Sequence, residues 1–99
     1  MKKIISFEIV GLYVLRCTFN NGVVRDLDIS TFMDKKGKYS GKIFDEKIFR
    51  SVKLGELGQL YWDGIAEMKD INGNIIPVEY DICPDFAYMN SVILSKIPC

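Results

Sequence analysis

The chain has to do any chemistry without histidine. That removes the commonest general base and metal ligand, and with it the Ser/His, Cys/His and histidine-based zinc arrangements. Carboxylates, thiols and ammonium groups remain. Asp63, Asp81 and Asp85 flank a Trp62 turn and the start of a C-terminal helix. If the three converged they would suit a hard cation or an acid/base pair. Turn and helix-cap roles also account for each of them, because Asp63-Gly64 is a turn signal and Asp85 complements the positive end of a helix. Cys83 precedes Pro84, where a helix N-terminus would make a thiol more acidic. Its plainer role is a small apolar residue buried under that helix. Tyr61 and Trp62 could form a ligand platform, although a lone Trp in a domain of this size is usually the largest block of the core. Lys35, Lys36, Lys38 and Lys42 surround Tyr39 in the run Asp34–Lys42. Basic residues around an aromatic can hold a polyanion or a partner's acidic patch, and a solvated connection is the simpler reading. The order of residues is not that of a phosphate-binding loop.

Ninety-nine residues, 48% hydrophobic and 12% aromatic, make one domain that folds without metal or disulfide staples. Thirteen Lys and Arg balance thirteen Asp and Glu, so no global field draws the chain to nucleic acid or an anionic membrane. Residues 1–42 hold eight basic against four acidic groups, net +4, and residues 43–99 hold five against nine, net −4. Either two faces of opposite sign result, or the halves interleave and the charges intermix. Cys17, Cys83 and Cys99 are too few and too widely spaced for a disulfide framework or a zinc site, which suits a reducing compartment. Without a cleavable leader or a run of ~18 apolar residues, a cytoplasmic protein is expected.

The elements that must position these groups are organised around Leu12–Ile29, two alternating runs joined by Asn20-Asn21-Gly22. Side chains of a strand alternate faces, so register can be tested by loop length. A two-residue loop sets Cys17 and Leu15 against Asp26 and Asp28. A three-residue loop with Gly22 left-handed instead pairs Phe19 with Val23, Cys17 with Arg25, Leu15 with Leu27 and Tyr13 with Ile29. The second register leaves one face apolar and places Arg16 across from Asp26 on the other. Ile4–Val10 precedes it as a strand, with a reversal or bulge at Gly11, giving a three-stranded meander.

Beyond the meander, Ser30 offers a cap to a turn that brings Phe32 or Met33 over the sheet. Asp45 caps a short helix over 45–51 with Ile48 and Phe49 inward. Val52–Leu54 is a minor extended piece ended by Gly55, and Gly58 opens a short strand with Leu60 and Trp62 on one side. Asp63-Gly64 ends it as a turn. Ile65–Asp70 and Ile75–Tyr80 then form a second hairpin around Asn72-Gly73-Asn74, with Pro77 confining its second strand to an edge or a bulge. A helix from about Pro84 to Asn90 turns Phe86, Met89 and Ile93 inward. Ser91–Cys99 packs down as an extended tail. The fold class is α+β: an antiparallel sheet built on an N-terminal three-stranded meander, with two short helices packed on it and a second hairpin.

Phe19-Asn20-Asn21-Gly22 with Asp26-Leu27-Asp28, the central Ile43-Phe44 and Phe49, and Leu60-Tyr61-Trp62 with Asp81-Ile82-Cys83-Pro84-Asp85-Phe86-Ala87-Tyr88 together make a pattern. The chain resembles, over most of its length, the small bacterial proteins grouped as domain of unknown function 2442. The resemblance implies a compact α+β domain without an established catalytic residue, in some cases one member of a toxin–antitoxin-like pair. Residues and resemblance together lead to a protein-binding module, not an enzyme, with no cofactor. Its protein partner would meet it at the Lys35–Lys42 loop or an exposed edge strand, and a homodimer through that edge is a further arrangement. The alternatives are a small metal-binding or enzymatic domain using Asp63, Asp81 and Asp85, and weak nucleic-acid binding through the loop lysines.

Overall fold

In a computed structural model, which describes residues 1–94, two antiparallel sheets share one core. β1 (Ile4–Gly11), β2 (Val14–Phe19) and β3 (Val24–Asp28) form the meander. Leu15 pairs with Leu27, Cys17 with Arg25 and Arg16 with Asp26. Phe19 N–H donates to Val23 O (2.9 Å) and Gly22 N–H to Phe19 O (2.9 Å), with Gly22 at φ 82°. This is the three-residue loop that the alternation requires. Leu15, Cys17, Phe19, Leu27 and Ile29 are fully buried. β1 meets β2 through a bulge between Ile9 and Gly11 and the two-residue turn Leu12-Tyr13. Tyr13 therefore lies outside the strand, in the left-handed region at φ 63°. That conformation costs a non-glycine residue roughly 1–2 kcal/mol. Contacts offset it: the Tyr13 hydroxyl donates to Phe44 O, and its ring lies edge-on to Phe44 and Phe49 at 5.0 and 5.4 Å.

The second hairpin belongs to a sheet of its own, β4 (Lys53–Leu54), β5 (Leu60–Lys69) and β6 (Ile75–Ile82), in that order. Its two connections repeat the geometry of the first. Gly55 N–H donates to Gln59 O and Gly58 N–H to Gly55 O, while Asp70 N–H donates to Asn74 O and Gly73 N–H to Asp70 O. In each loop a left-handed glycine closes the bulge, Gly58 at φ 78° and Gly73 at φ 80°. Asp63-Gly64 does not end the strand as the turn signal suggests. β5 runs through it as a bulge between Trp62 and Ala66, with Gly64 at φ 68°. A bulge and a turn both need a left-handed residue, so one dipeptide serves either.

Three short helices sit on this frame: α1 (Ser40–Ile43), α2 (Glu46–Phe49) and α3 (Pro84–Met89). α1 begins within the run Asp34–Lys42, read as an exposed loop, and ends one residue beyond it. Asp45 caps α2 by accepting from Lys47 N–H and Ile48 N–H. A 3₁₀ turn over Ile29–Thr31 is capped by Asp28, not Ser30, because Asp28 Oδ1 reaches Ser30 N–H at 3.0 Å. α3 turns Pro84 and Ala87 inward. Phe86 is 44% and Met89 80% exposed, contrary to the inward placing of both. A six-residue helix presents too few turns to bury a full apolar stripe. Tyr88 docks it instead, edge-on to Phe19 at 4.9 Å with Lys2 and Arg25 over its ring. β7 (Val92–Ile93) adds to β3 through Arg25–Ile93 and Asp26–Val92, leaving Val92 and Ile93 exposed. The rest of the expected tail, with Ile97, Pro98 and Cys99, lies outside the described residues.

The sheets meet where Ile4 N–H donates to Gly58 O at 3.1 Å. A Cβ at Gly58 would stand 2.6 Å from Lys3 Cβ and 2.8 Å from Lys3 Cα, whereas at Gly73 it would meet nothing within 4 Å. Both positions carry the left-handed strain of ~1–2 kcal/mol; only Gly58 adds overpacking, typically ~1–3 kcal/mol. Urea unfolding of Gly58→Ala should therefore show a clearly larger loss than Gly73→Ala. Equal losses would mean that the sheet junction yields freely.

Candidate functional site

β6 is an edge strand among the described residues, and it is divided by Pro77. Because Asp70 N–H bonds Asn74 O, the ladder alternation makes Met68–Ile76 and Ala66–Val78 hydrogen-bonded pairs and Glu67–Pro77 a non-bonded one. The missing N–H of Pro77 thus falls on the open side and costs no ladder bond. On β6 the outward backbone groups belong to Ile75, Pro77, Glu79 and Asp81. Beyond Pro77 the hairpin becomes an arm that leaves the body. Its inner face continues the core stripe of Ile82 and Ile65 into solvent, with Ile76 38% and Met68 53% exposed, while Ile75 on the other face is 62% and Ile71 in the loop 99% exposed. Lys38 and Tyr39 line a niche of about 140 Å³ against Glu67, Met68, Lys69 and Ile75 at the side of the arm.

On the body side of Pro77 an open groove of about 450 Å³ runs beside β6. One wall is the edge-on pair Phe32 and Phe86, ring centroids 5.2 Å apart. Tyr80, Asp81 and Ile82 of β6 form the other, with Asp34 and Ser40 at its end. Sequence reasoning missed this groove because it turned Phe86 into the core.

The three candidate carboxylates have separate surroundings. Asp63 pairs with Lys53 Nζ at 2.6 Å, Asp85 accepts from Lys2 N–H at 2.9 Å, and Asp81 is exposed and stands across the ladder from Tyr61. Among the described residues no group of three or more Cys, Asp and Glu is arranged to hold a metal ion. The loop lysines are exposed, with Lys35 Nζ 5.5 Å from the Phe44 ring centroid and Lys38 Nζ 5.4 Å from that of Tyr39. The loop is pinned rather than free. Ser40 Oγ donates to Asp34 O at 2.6 Å, and a Cβ at Gly37 or Gly41 would meet Ser40 Oγ at 2.1 Å or Lys35 O at 2.7 Å.

Trp62 lies in the core, so it offers no platform; its Nε1–H donates to Phe49 O at 3.0 Å. Cys83 is exposed, not buried under α3 as expected. Cys17 is buried, and that burial, with the nearby Asp26 charge, pushes its thiol up to about 12. On the outer face of the meander Arg16 Nε and Nη2 donate to Asp26 Oδ1 and Oδ2 at 2.8 and 3.1 Å. The Arg16 hydrogen bonds hold the Asp26 carboxyl below the usual carboxylate range. Comparison of the chain with protein families, curated proteins and solved structures finds no match.

Two measurements follow from these environments. In a Cys99→Ser background, Ellman's reagent should titrate Cys83 rapidly. Cys17 should react only as the protein unfolds, since at pH 8 a thiol near 12 is ionised to roughly one part in 10⁴. Two fast thiols would contradict the buried placement. The lowered Asp26 carboxyl adds stability above its unfolded-state pKa, and this is lost as pH falls through the folded value. Asp26→Asn should therefore be less stable than the parent at neutral pH, with the gap closing in acid. A gap independent of pH would remove the charge-assisted bond from the account.

Proposed function

We propose that this chain is a protein-binding module that recognises its partner along the β6 side of the second hairpin. The observation that carries this reading is the arm itself, where Met68, Ile71, Ile75 and Ile76 lie exposed on one short ribbon. An isolated two-stranded ribbon is marginal in water, and apolar residues concentrated on one exposed element mark interaction surfaces. Binding rather than catalysis is supported by the chemistry at hand. The chain has no histidine, the Cys17 thiol stays protonated, and Asp63 and Asp85 are engaged by Lys53 and by the Lys2 backbone. The resemblance to the domain of unknown function 2442 group adds a setting, in which the module is the antitoxin-like half of a two-protein system in the cytoplasm.

Co-purification of the tagged full chain from its host tests the proposal. Ile71 and Ile75 are exposed, so the double change Ile71→Asp/Ile75→Asp should leave the melting temperature near that of the parent. It should weaken partner recovery about tenfold or more, as loss of interface anchors does. Full recovery by the folded double variant would overturn the placement of the surface. Isolation of the parent as a lone monomer under several growth conditions would overturn the module reading.

A further inference from the structure

We propose that Asn72-Gly73, at the tip of the second hairpin, is a site of spontaneous covalent modification, in which the Gly73 backbone nitrogen closes on the Asn72 side-chain amide. The reaction needs only the chain and water. The Gly73 nitrogen gives up its proton and bonds to Asn72 Cγ, and ammonia leaves, forming a cyclic succinimide. Water then opens either carbonyl of that ring, leaving aspartate or isoaspartate at position 72. Glycine favours the first step because no side chain crowds its nitrogen, and asparagine is one of the thermolabile residues. The inference stands apart from the partner-binding reading.

Asn21-Gly22 is the same dipeptide at the same place in the same kind of loop, and it serves as an internal control. Phe19 N–H bonds Val23 O and Gly22 N–H bonds Phe19 O, both at 2.9 Å; Asp70 N–H bonds Asn74 O at 2.8 Å and Gly73 N–H bonds Asp70 O at 3.0 Å. Gly22 and Gly73 have φ of 82° and 80°. Both asparagines are exposed, so neither backbone form nor access to water separates them. Their side chains do. Asn21 Oδ1 accepts from Val23 N–H at 3.1 Å, and Asn21 Nδ2 donates to the Tyr88 hydroxyl at 3.3 Å. In the second loop the N–H that corresponds to Val23 is that of Asn74, and Asp70 Oδ1 takes it at 2.8 Å together with Asn72 N–H at 2.9 Å. Asp70 thereby does for its loop what the Asn21 side chain does for the first. Among the described residues the Asn72 side-chain amide is left without a hydrogen bond, able to turn toward Gly73.

Backbone freedom acts in the same direction. Gly73 N–H must leave Asp70 O before its nitrogen reacts, and that bond closes the far end of a two-stranded arm where Ile71 and Ile75 are exposed. Such an end opens at little cost. The matching bond of the meander closes on Phe19, which is fully buried and edge-on to Tyr88. Each event exchanges a neutral amide for a carboxylate beside Ile71, so the tip of the arm grows more acidic as the chain ages.

The test incubates the full chain in mildly alkaline buffer, with a parallel sample held in urea, and digests both at acidic pH. Mass spectrometry then reads the amide-to-acid gain and the separate aspartate and isoaspartate peptides at each Asn-Gly. In the folded chain Asn72 should convert about tenfold faster than Asn21 or more, since Asn21 has two hydrogen bonds to release first. In urea the two should convert at similar rates. Asn72→Gln, whose longer side chain closes its ring far more slowly, should lose most of the acidic drift that isoelectric focusing shows for the parent. The inference is overturned if Asn72 keeps its amide in the folded chain while converting in urea, or if both asparagines convert alike when folded. It is also overturned if urea leaves the preference intact, or if Asn72→Gln drifts as the parent does.

Discussion

Five aromatic rings in succession carry the contact between the two sheets. Phe44 meets Tyr13 at 5.0 Å, Tyr13 meets Phe49 at 5.4 Å, Phe49 meets Trp62 at 6.5 Å and Trp62 meets Tyr80 at 6.4 Å. The chain of rings starts in the α1–α2 segment and passes through the turn of the meander, α2 and β5, ending on β6. No backbone ladder joins the sheets in the described residues, so this stack and the Ile4–Gly58 bond do what a shared strand would otherwise do. Each ring pair adds roughly 0.5–1.5 kcal/mol beyond the area it buries. The polar ends are satisfied as well, since Trp62 Nε1–H reaches Phe49 O and the Tyr13 hydroxyl reaches Phe44 O. A buried donor left without such a partner costs ~1–3 kcal/mol, so the stack is held in one arrangement rather than merely collapsed. The strained backbone of Tyr13 fits the same logic, because its conformation is what aims the ring at Phe44 and Phe49.

The arm is a consequence of that arrangement. Once Trp62 is buried, β5 must leave the core along the direction its residues set, and the bulge over Asp63-Gly64 lets it continue instead of turning back. The stripe of Leu60, Trp62 and Ile65 is covered; Ala66, Met68 and their opposite numbers Val78 and Ile76 run progressively out of cover. Apolar surface that the body does not bury is therefore built into one element rather than scattered. The open edge of that element carries Pro77 at a non-bonded position, the placement that blocks indiscriminate strand pairing without weakening the hairpin.

The parts of the fold legible in the sequence were those with a self-checking local rule. The first hairpin is one: only the three-residue loop sets Leu15 against Leu27 and keeps Asp26 and Asp28 off the face of Leu15, Cys17 and Phe19, and the ladder has that register. Asn72-Gly73-Asn74 and the edge position of Pro77 were legible for the same reason, as was the Asp45 cap. The misses fell where one signal fits two structures. Asp63-Gly64 marks left-handed backbone, which a turn and a bulge share. Tyr13 was placed in the strand because nothing in its type announces positive φ. Phe86 and Met89 were turned inward because apolar residues at helical spacing usually are, and a helix docked mainly by Tyr88 does not follow that rule. Cys83 went the same way. The third hairpin, through Gly55 and Gly58, was hidden because β4 is only two residues long.

Those misses bear on the site. The groove exists because α3 presents Ala87 to the core and leaves Phe86 to pair with Phe32 outside it. Had Phe86 been inward, the body-side edge of β6 would stand without an aromatic wall. Had the three carboxylates converged, their mutual repulsion would call for a metal ion. As folded, the Phe32–Phe86 pair stands beside the body-side end of an edge that Pro77 limits. The outward backbone groups of Glu79 and Asp81 lie open on that edge, with the rings as apolar area beside them. Pro77 sets where the open stretch of edge begins, and the apolar arm beyond it concentrates the exposed aliphatic area of the sheet in one element.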